Sequence, residues 1–169
     1  MPDGKIFRTP AQCPSNVRVA LPQDAPALFA FLIKDYGPTV ADLPVDRERV
    51  YSYVENCCLG AGGIAGIIEE DGEIVASTGI VLDRVWFSAE WFLSQAWVAV
   101  RQDRRRGTGY YDDLRKFADW HHADMEARTG TPFKLSLSVY SSDRLPEKTR
   151  LWARRAKPVG VVFWSEERV

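Results

Sequence analysis

The sequence predicts an α/β domain with a mixed sheet, in which a central, mostly antiparallel sheet of six to seven strands is flanked by about four helices. Short segments that are apolar, or that alternate between apolar and polar residues, are separated by longer segments with helical periodicity. Asp71-Gly72 between two of the short segments indicates a tight hairpin. A long helical segment between the fourth and fifth strands indicates that these two strands are parallel, because parallel neighbours need a crossover connection.

The predicted elements follow one another over nearly the whole chain. Asp46 is the expected N-cap of the second helix, and Gly130 is the expected end of the long third helix. One stripe of that third helix, which predicts its buried face, is formed by Tyr110, Leu114, Phe117, His121 and Met125. Strands are predicted at 16–21, 64–70, 73–82, 90–100, 133–140 and 159–164, and helices after 22–24 and over 46–58, 110–128 and 146–153.

Length and composition are those of one globular domain. The chain has 169 residues, of which 46% are hydrophobic and 27% charged, and we expect a domain over 16–169 preceded by a flexible arm over 1–15. A net charge of -1 disfavours a dedicated nucleic-acid-binding protein. No apolar run has the length of a membrane span, and the first residues do not form a signal peptide, so a cytoplasmic protein is expected. The cysteines lack metal-ligand spacing, and no metal site is predicted.

A basic turn with two glycines joins the fourth strand to the long helix. The first turn of a helix presents N–H groups without intrahelical partners, and the helix dipole adds partial positive charge there. Glycines let a phosphate approach those groups, and arginines supply charge and paired donors. The pattern predicts a phosphate or pyrophosphate site, and its alternative is a solvated basic loop. The residues concerned are Arg101, Arg104, Arg105, Arg106, Gly107 and Gly109.

This turn and the order of the elements resemble the GNAT family of acyl-coenzyme A-dependent N-acyltransferases. The family's signature, Gln/Arg-x-x-Gly-x-Gly/Ala, is matched by Arg104-x-x-Gly107-x-Gly109 between strand and helix. The matching element order covers nearly all of 16–164, and segments 151–155 and 159–163 look like the family's last helix and strand. The turn departs from the family in being one residue shorter after Val100 than its commonest spacing.

The resemblance implies a coenzyme A site on the turn and on the strand before it. In the family, the turn binds the pyrophosphate through backbone N–H groups, and the end of the fourth strand pairs with the pantetheine arm like an added strand. The N–H of Val98 would polarise the thioester carbonyl as an oxyanion donor. The sequence does not rank Arg101, Arg105 and Arg106 as ligands of the outer phosphates. The implied cofactor-binding residues are Val98, Val100, Arg104, Arg105, Arg106, Gly107, Thr108, Gly109 and Tyr110.

The resemblance also implies catalytic groups. Glu90 lies where several family members have a general base for the incoming ammonium, and its alternative is a solvated charge at a strand start. The family often has a tyrosine on the short last helix that protonates the leaving thiolate, but the matching position here is Trp152, whose indole is not an acid. Tyr140 or Ser142 could replace that tyrosine, or the thiolate could leave unaided. The predicted catalytic residues are therefore Glu90, Val98 and Tyr140.

Other polar residues have two interpretations each. Asp42, Asp46 and Glu48 lie in a region that forms part of the acceptor pocket in the family, where acids suit a cationic amine, although N-capping is the favoured role of Asp46. Ser94 or Gln95 could order a water in the fourth strand. His121, on the buried stripe of the long helix, is expected to pack in the core rather than to bind zinc.

Together these features predict an enzyme that transfers an acyl group, with acetyl favoured, from acetyl-coenzyme A to an amine by direct attack in a ternary complex. The acceptor is a small-molecule or protein amine, no membrane partner is expected, and the sequence leaves open whether the chain forms a homodimer. Two alternatives remain. One is a non-catalytic acyl-coenzyme A-binding module, which Trp152 favours, and the other is a nucleic-acid contact through the arginines of 101–106.

Overall fold

A computed structural model describes Cys13, 16–35, 44–84, 86–137 and Arg150, and the described residues form one mixed sheet with helices on both faces. Strands that follow one another in sequence are also neighbours in the sheet. The first four strands pair antiparallel, whereas the fifth is parallel to the fourth, as predicted. The elements are β1 Arg18–Val19, α1 Ala25–Asp35, α2 Arg47–Leu59, β2 Gly63–Glu70, β3 Glu73–Asp83, β4 Phe92–Val100, α3 Tyr110–Thr129 and β5 Leu135–Ser136.

The hairpin between β2 and β3 forms at the predicted turn. Asp71 and Gly72 have φ angles of 50° and 81°, the left-handed pair that a two-residue hairpin loop of this kind requires. Ile68 pairs with Ala76 while Glu69 pairs with Ile74, so one residue of β3 bulges close to the turn. The tip of this hairpin therefore lies beside the end of β4, where the basic turn begins.

Helices cover the two faces of the sheet. α1 and α2 pack against one face through residues that include Leu28, Phe31 and Val54, and α3 packs against the other through residues that include Leu114 and Phe117. α3 lies very close to the sheet, because a Cβ atom at Gly66 would stand 2.8 Å from the Phe117 ring. The predicted buried stripe of α3 is confirmed at Leu114, Phe117, His121 and Met125, whereas Tyr110 in the first turn is half-buried.

The helix ends follow local capping rules. The Asp46 carboxylate accepts a hydrogen bond from the Arg49 N–H at 3.0 Å, which confirms Asp46 as the N-cap of α2. Gly60 and Gly130 end α2 and α3 in the left-handed conformation, as expected for glycine at these positions. None of the described helices has both the length and the apolar composition of a transmembrane segment.

The structure corrects the predicted start of the fourth strand. β4 begins at Phe92 rather than at Glu90. The Glu90 N–H donates to Ser88 Oγ at 3.1 Å, a local turn bond that competes with strand pairing. The described residues contain five strands and three α-helices, against six to seven and about four predicted for the whole chain. The predicted helix 146–153, apart from Arg150, and the predicted strand 159–164 lie outside the described residues.

Candidate functional site

β4 contains a bulge that divides it into two halves. Gly79 of β3 pairs with Trp97, whereas Ile80 pairs with Gln95, so Ala96 is an extra residue in β4. Before the bulge, β4 also pairs with β5: the Leu93 N–H donates to the Lys134 carbonyl at 2.9 Å. Within the described part of the chain, the pairing of β4 with β5 stops at Ser94.

The second half of β4 exposes backbone groups at an edge. The Arg101 N–H donates to the Val75 carbonyl of β3 at 2.8 Å. Because N–H groups alternate in direction along a strand, those of Val98 and Val100 point away from β3. The Val100 carbonyl, on the same side, accepts a hydrogen bond from Arg105 Nε at 3.0 Å. Among the described residues, Val98 is thus at an edge of β4 that can accept an added strand or an extended ligand.

The edge leads directly into the glycine turn and the first turn of α3. Gly107 and Gly109 have φ angles of 77° and 74°, which favour glycine over any other residue. A Cβ atom at either position would meet no atom of the described residues within 4 Å, so space is open above both in that part of the structure. In the described chain, the N–H groups of Gly107, Thr108 and Gly109 donate to no acceptor. The Thr108 hydroxyl donates to the Arg104 carbonyl at 2.8 Å and closes the turn on itself.

Two of the four arginines are neutralised by carboxylates. Arg101 contacts Glu73 at 3.0 Å and Asp103 at 2.8 Å, and Arg104 contacts Asp103 at 3.2 Å. The Arg101 hydrogen bond holds the pKa of Asp103 below its usual range, and Asp103 in turn raises the pKa of Arg101. These two guanidinium groups are therefore less available to an anion than the sequence suggests.

The remaining two arginines differ from each other. Arg105 bridges two backbone carbonyls, those of Val100 and, at 3.3 Å, of Asp35 at the end of α1. Arg106 is exposed and makes no hydrogen bond or ion pair within the described residues. The geometry thus ranks the arginines, and Arg106 is the one whose guanidinium can turn to a ligand without breaking an existing contact.

Glu70 is a residue of this site that the sequence analysis missed. Its carboxylate accepts hydrogen bonds from the Tyr110 hydroxyl and, at 2.7 Å, from Arg104 Nε. The Tyr110 hydrogen bond, followed by that of Arg104, lowers the pKa of Glu70, and the same contact raises the pKa of Tyr110. The charge pattern of the sequence could have indicated this contact. Acidic residues flank the hairpin turn, at Glu69, Glu70 and Glu73, and they are opposite in charge to the arginine-rich turn.

Comparison with solved structures identifies this architecture. A predicted acetyltransferase from Clostridium acetobutylicum, solved with acetyl-CoA, matches with a TM-score of 0.62 and 17% identity over 90% of this chain and 95% of that one. AAC(6')-Iy in complex with the bisubstrate analogue CoA-S-monomethyl-acetylneamine matches with a TM-score of 0.61 and 11% identity over 90% and 97%. Glucosamine-6-phosphate N-acetyltransferase from Arabidopsis thaliana matches with a TM-score of 0.59 and 16% identity over the same shares. The chain has the GNAT fold.

No protein-family model matches the sequence, and no curated protein matches it either. The GNAT fold is thus shared with these structures at sequence identities of 11 to 17%. The strand-to-helix turn with its two glycines and the element order from β1 to β5 are present in the described residues, whereas the segments 151–155 and 159–163, which also entered the resemblance, lie outside them.

The predicted catalytic groups are only partly described. Glu90 lies in the loop before β4 with its side chain 83% exposed, and Lys134 Nζ lies 3.9 Å from its carboxylate. Ser94 is half-buried, and Gln95 is buried and bonded to Thr78. Tyr140, Ser142 and Trp152 lie outside the described residues.

An open cavity of about 490 Å³ lies between the GNAT helices α1 and α2. Phe29 and Tyr51 meet edge to face in it, with ring centroids 5.4 Å apart, and the Arg47 guanidinium lies 5.3 Å from the Phe29 ring. Glu48 also lines this cavity, whereas Asp46 acts as a cap. Asp42 lies outside the described residues.

Proposed function

We propose that this protein is an N-acetyltransferase that moves the acetyl group of acetyl-coenzyme A to an amine. The observation that carries the proposal is the continuity between the edge of β4 after the Ala96 bulge and the glycine turn at the start of α3. One end of this path offers strand-like backbone groups, and the other offers unpaired N–H groups at a helix N-terminus. A long ligand with amide groups at one end and a pyrophosphate at the other fits that order.

The pyrophosphate of the donor is assigned to the turn. The N–H groups of Gly107, Thr108 and Gly109 lack protein acceptors in the described chain, and the open space above the glycines admits phosphate oxygens. Arg106 supplies charge for an outer phosphate, because its guanidinium is exposed. Arg104 and Tyr110 act indirectly: both are held by Glu70 and keep the turn in place.

The acetyl end is assigned to Val98. Its N–H points to the edge away from β3, where it can donate to the thioester oxygen as negative charge develops there. Glu90 removes a proton from the incoming ammonium, directly or through water, and its exposure allows an amine from solvent to reach it. The neutral amine attacks the carbonyl carbon, its nitrogen then loses a proton to solvent or to the departing sulfur, and the C–S bond breaks. The thiolate leaves with a proton from Tyr140, which the released amine proton replaces, or without help.

Two other functions would use the same surface. A non-catalytic acyl-coenzyme A-binding module is favoured by Trp152 at the position of the family's usual acid. A nucleic-acid contact through the arginines of 101–106 is disfavoured by the carboxylates that already hold Arg101 and Arg104.

Binding is tested first, by mass spectrometry for co-purified coenzyme A and by calorimetric titration with coenzyme A. We expect Arg106→Ala to weaken binding severalfold and the difference to shrink as salt rises, because an exposed charge is screened. Arg128→Ala is the matched control, since it removes a surface arginine at the opposite end of α3. Identical affinities for both variants and the parent would remove Arg106 from the site.

Transfer is tested with acetyl-coenzyme A and a panel of amines, by following release of the free thiol. Amine-dependent release that exceeds the rate with donor alone is the expected result. Binding without transfer to any amine would favour the binding module, and failure to bind coenzyme A would overturn the proposal. Salt-sensitive binding of DNA or RNA in place of coenzyme A would support the nucleic-acid alternative.

A further inference from the structure

A chain of two buried hydrogen bonds crosses from β3 to β4 at the bulge. Gln95 Nε2 donates to Thr78 Oγ1 at 3.0 Å, and Thr78 Oγ1 donates to the Trp97 carbonyl at 2.9 Å. Both polar side chains are buried from solvent. The donor-to-acceptor direction of these hydrogen bonds is fixed, because a hydroxyl has a single proton. Once the Thr78 hydroxyl donates to the Trp97 carbonyl, it can only accept from the Gln95 amide.

The last acceptor of these hydrogen bonds is the carbonyl oxygen of the peptide unit between Trp97 and Val98. This peptide is trans, so its carbonyl and its N–H point in opposite directions. The carbonyl is turned toward β3, where Thr78 reaches it, and the N–H of Val98 is therefore turned toward the edge of β4. A group that fixes the carbonyl also fixes the direction of the N–H.

We propose that Thr78 and Gln95 are positioning residues for the Val98 N–H and that they strengthen it as a hydrogen-bond donor. The inference deepens the proposed acetyl transfer and rests on it for its chemical meaning. A hydrogen bond to a peptide carbonyl polarises the whole amide unit, and each bond added to such a chain strengthens the next. The hydrogen bond from the Gln95 amide thus makes the Thr78 hydroxyl a stronger donor, and this hydroxyl in turn polarises the Trp97 carbonyl. As a result, the Val98 N–H that faces the thioester oxygen is more polarised.

Packing alone does not account for Gln95. Its Oε1 atom is buried and has no hydrogen-bond partner among the described residues, which is unfavourable for a polar atom removed from water. A leucine of similar size would fill the same space next to Ile80 without that cost. A leucine, however, could not donate the hydrogen bond that the Gln95 amide donates to Thr78.

Ser77, the neighbour of Thr78 in β3 on the opposite face of the sheet, provides a control for the role of Thr78. Trp97 Nε1 donates to Ser77 Oγ at 3.0 Å, so the neighbouring residue of β3 also bonds to Trp97 through a buried hydroxyl. That bond holds the indole ring and does not touch the carbonyl. Ser77→Ala therefore removes a buried hydroxyl from the same strand and the same partner residue but leaves the peptide polarisation in place.

Kinetics and the amide resonance of Val98 test the inference together. Thr78→Val keeps the shape of the side chain and removes the hydroxyl, so we expect kcat to fall about tenfold, less than the loss of a whole oxyanion donor, with little change in KM for acetyl-coenzyme A. Gln95→Leu should show a smaller fall in kcat. Thr78→Ser should restore the rate, and Ser77→Ala should leave it unchanged. In ligand-free, isotope-labelled protein, the Val98 amide proton should move upfield in Thr78→Val but not in Ser77→Ala.

The outcomes separate this inference from the proposed function. If the parent is active and Thr78→Val leaves both kcat and the Val98 amide shift as in the parent, the inference is wrong and the acetyltransferase proposal stands. Equal losses of kcat in Thr78→Val and Thr78→Ser would also overturn it, because the hydroxyl would then be irrelevant. If the parent binds no acetyl-coenzyme A, the proposed function fails, and an unchanged Val98 shift in Thr78→Val would still refute the polarisation on its own.

Discussion

Arg104 Nε lies 2.7 Å from Oε2 of Glu70, and this contact joins the tip of the β2–β3 hairpin to the first residue of the glycine turn. Glu70 also accepts a hydrogen bond from Tyr110, the first residue of α3. One carboxylate thus holds both ends of the segment that we assign to the pyrophosphate. A turn that is fixed before binding loses less conformational entropy when a ligand orders it.

Glu70→Gln should therefore weaken coenzyme A binding severalfold even though Glu70 is an acid and repels phosphate. The glutamine keeps one acceptor but loses the charge-assisted hydrogen bonds to Arg104 and Tyr110. Calorimetric titration measures the change. Glu73→Gln is the matched control, since Glu73 lies in the same hairpin and, among the described residues, forms its ion pair with Arg101 and not with Arg104 or Tyr110. Tighter binding in Glu70→Gln would show that repulsion outweighs positioning.

Substitution of either turn glycine should strongly weaken coenzyme A binding. Gly107→Val and Gly109→Val force a branched residue into a positive φ and place carbon where phosphate would meet the backbone. We expect affinity for coenzyme A to fall at least about tenfold, because both the turn conformation and the approach to its N–H groups are lost.

The control for backbone strain is Gly130→Val. Gly130 also has a positive φ, of 66°, but it lies at the opposite end of α3. It should lower the melting temperature by a similar amount and leave coenzyme A affinity unchanged. If Gly130→Val reduces affinity as much as the turn variants do, the loss reflects general destabilisation rather than the site.

Much of the fold could be predicted because its signals are local. Asp71-Gly72 defines a hairpin through its own φ preferences, and Gly130 ends a helix in the same way. The buried stripe of α3 follows from helical periodicity, which needs no knowledge of what the helix packs against.

The features that sequence did not predict depend on pairing between distant segments. The bulge at Ala96 exists only relative to the register of β3, and nothing in the composition of β4 marks it. Glu70 and Arg104 are 34 positions apart, and their contact requires the hairpin, β4 and the turn to be in place. The start of β4 was misplaced at Glu90 because an apolar run does not reveal a local bond such as that from Glu90 to Ser88.

Stability should depend on pH through Asp24, which follows β1. Its carboxylate accepts hydrogen bonds from Arg18 at 2.7 and 2.9 Å and from the Leu21 N–H at 2.7 Å, and the Arg18 bond lowers the pKa of Asp24. A carboxyl whose pKa is lower in the folded state stabilises the fold above its unfolded pKa of about 4, and that stability is lost as pH falls further. Asp24→Asn should cost about 1 kcal/mol of unfolding free energy at neutral pH.

Urea unfolding at several pH values measures this effect. The difference between the parent and Asp24→Asn should narrow steadily below about pH 4, because the parent carboxyl then becomes neutral as well. Asp119→Asn is the control, since Asp119 forms an exposed pair with Arg115 within α3 and should cost little at any pH. A gap that stays constant down to acid pH would show that Asp24 acts through packing and not through its charge.

Glu90 as the general base gives the sharpest kinetic prediction. A protonated amine cannot attack a thioester, so loss of the base matters most where the amine is still charged. Glu90→Gln should lower turnover roughly a hundredfold near neutral pH, and the loss should shrink as pH rises toward the pKa of the amine itself. Lys134→Met is the matched control, because it removes the ammonium group that lies 3.9 Å from the Glu90 carboxylate and leaves that carboxylate intact. A pH–rate profile of Glu90→Gln with the same shape and height as that of the parent would exclude Glu90 from the reaction, and the amine would then have to lose its proton to solvent.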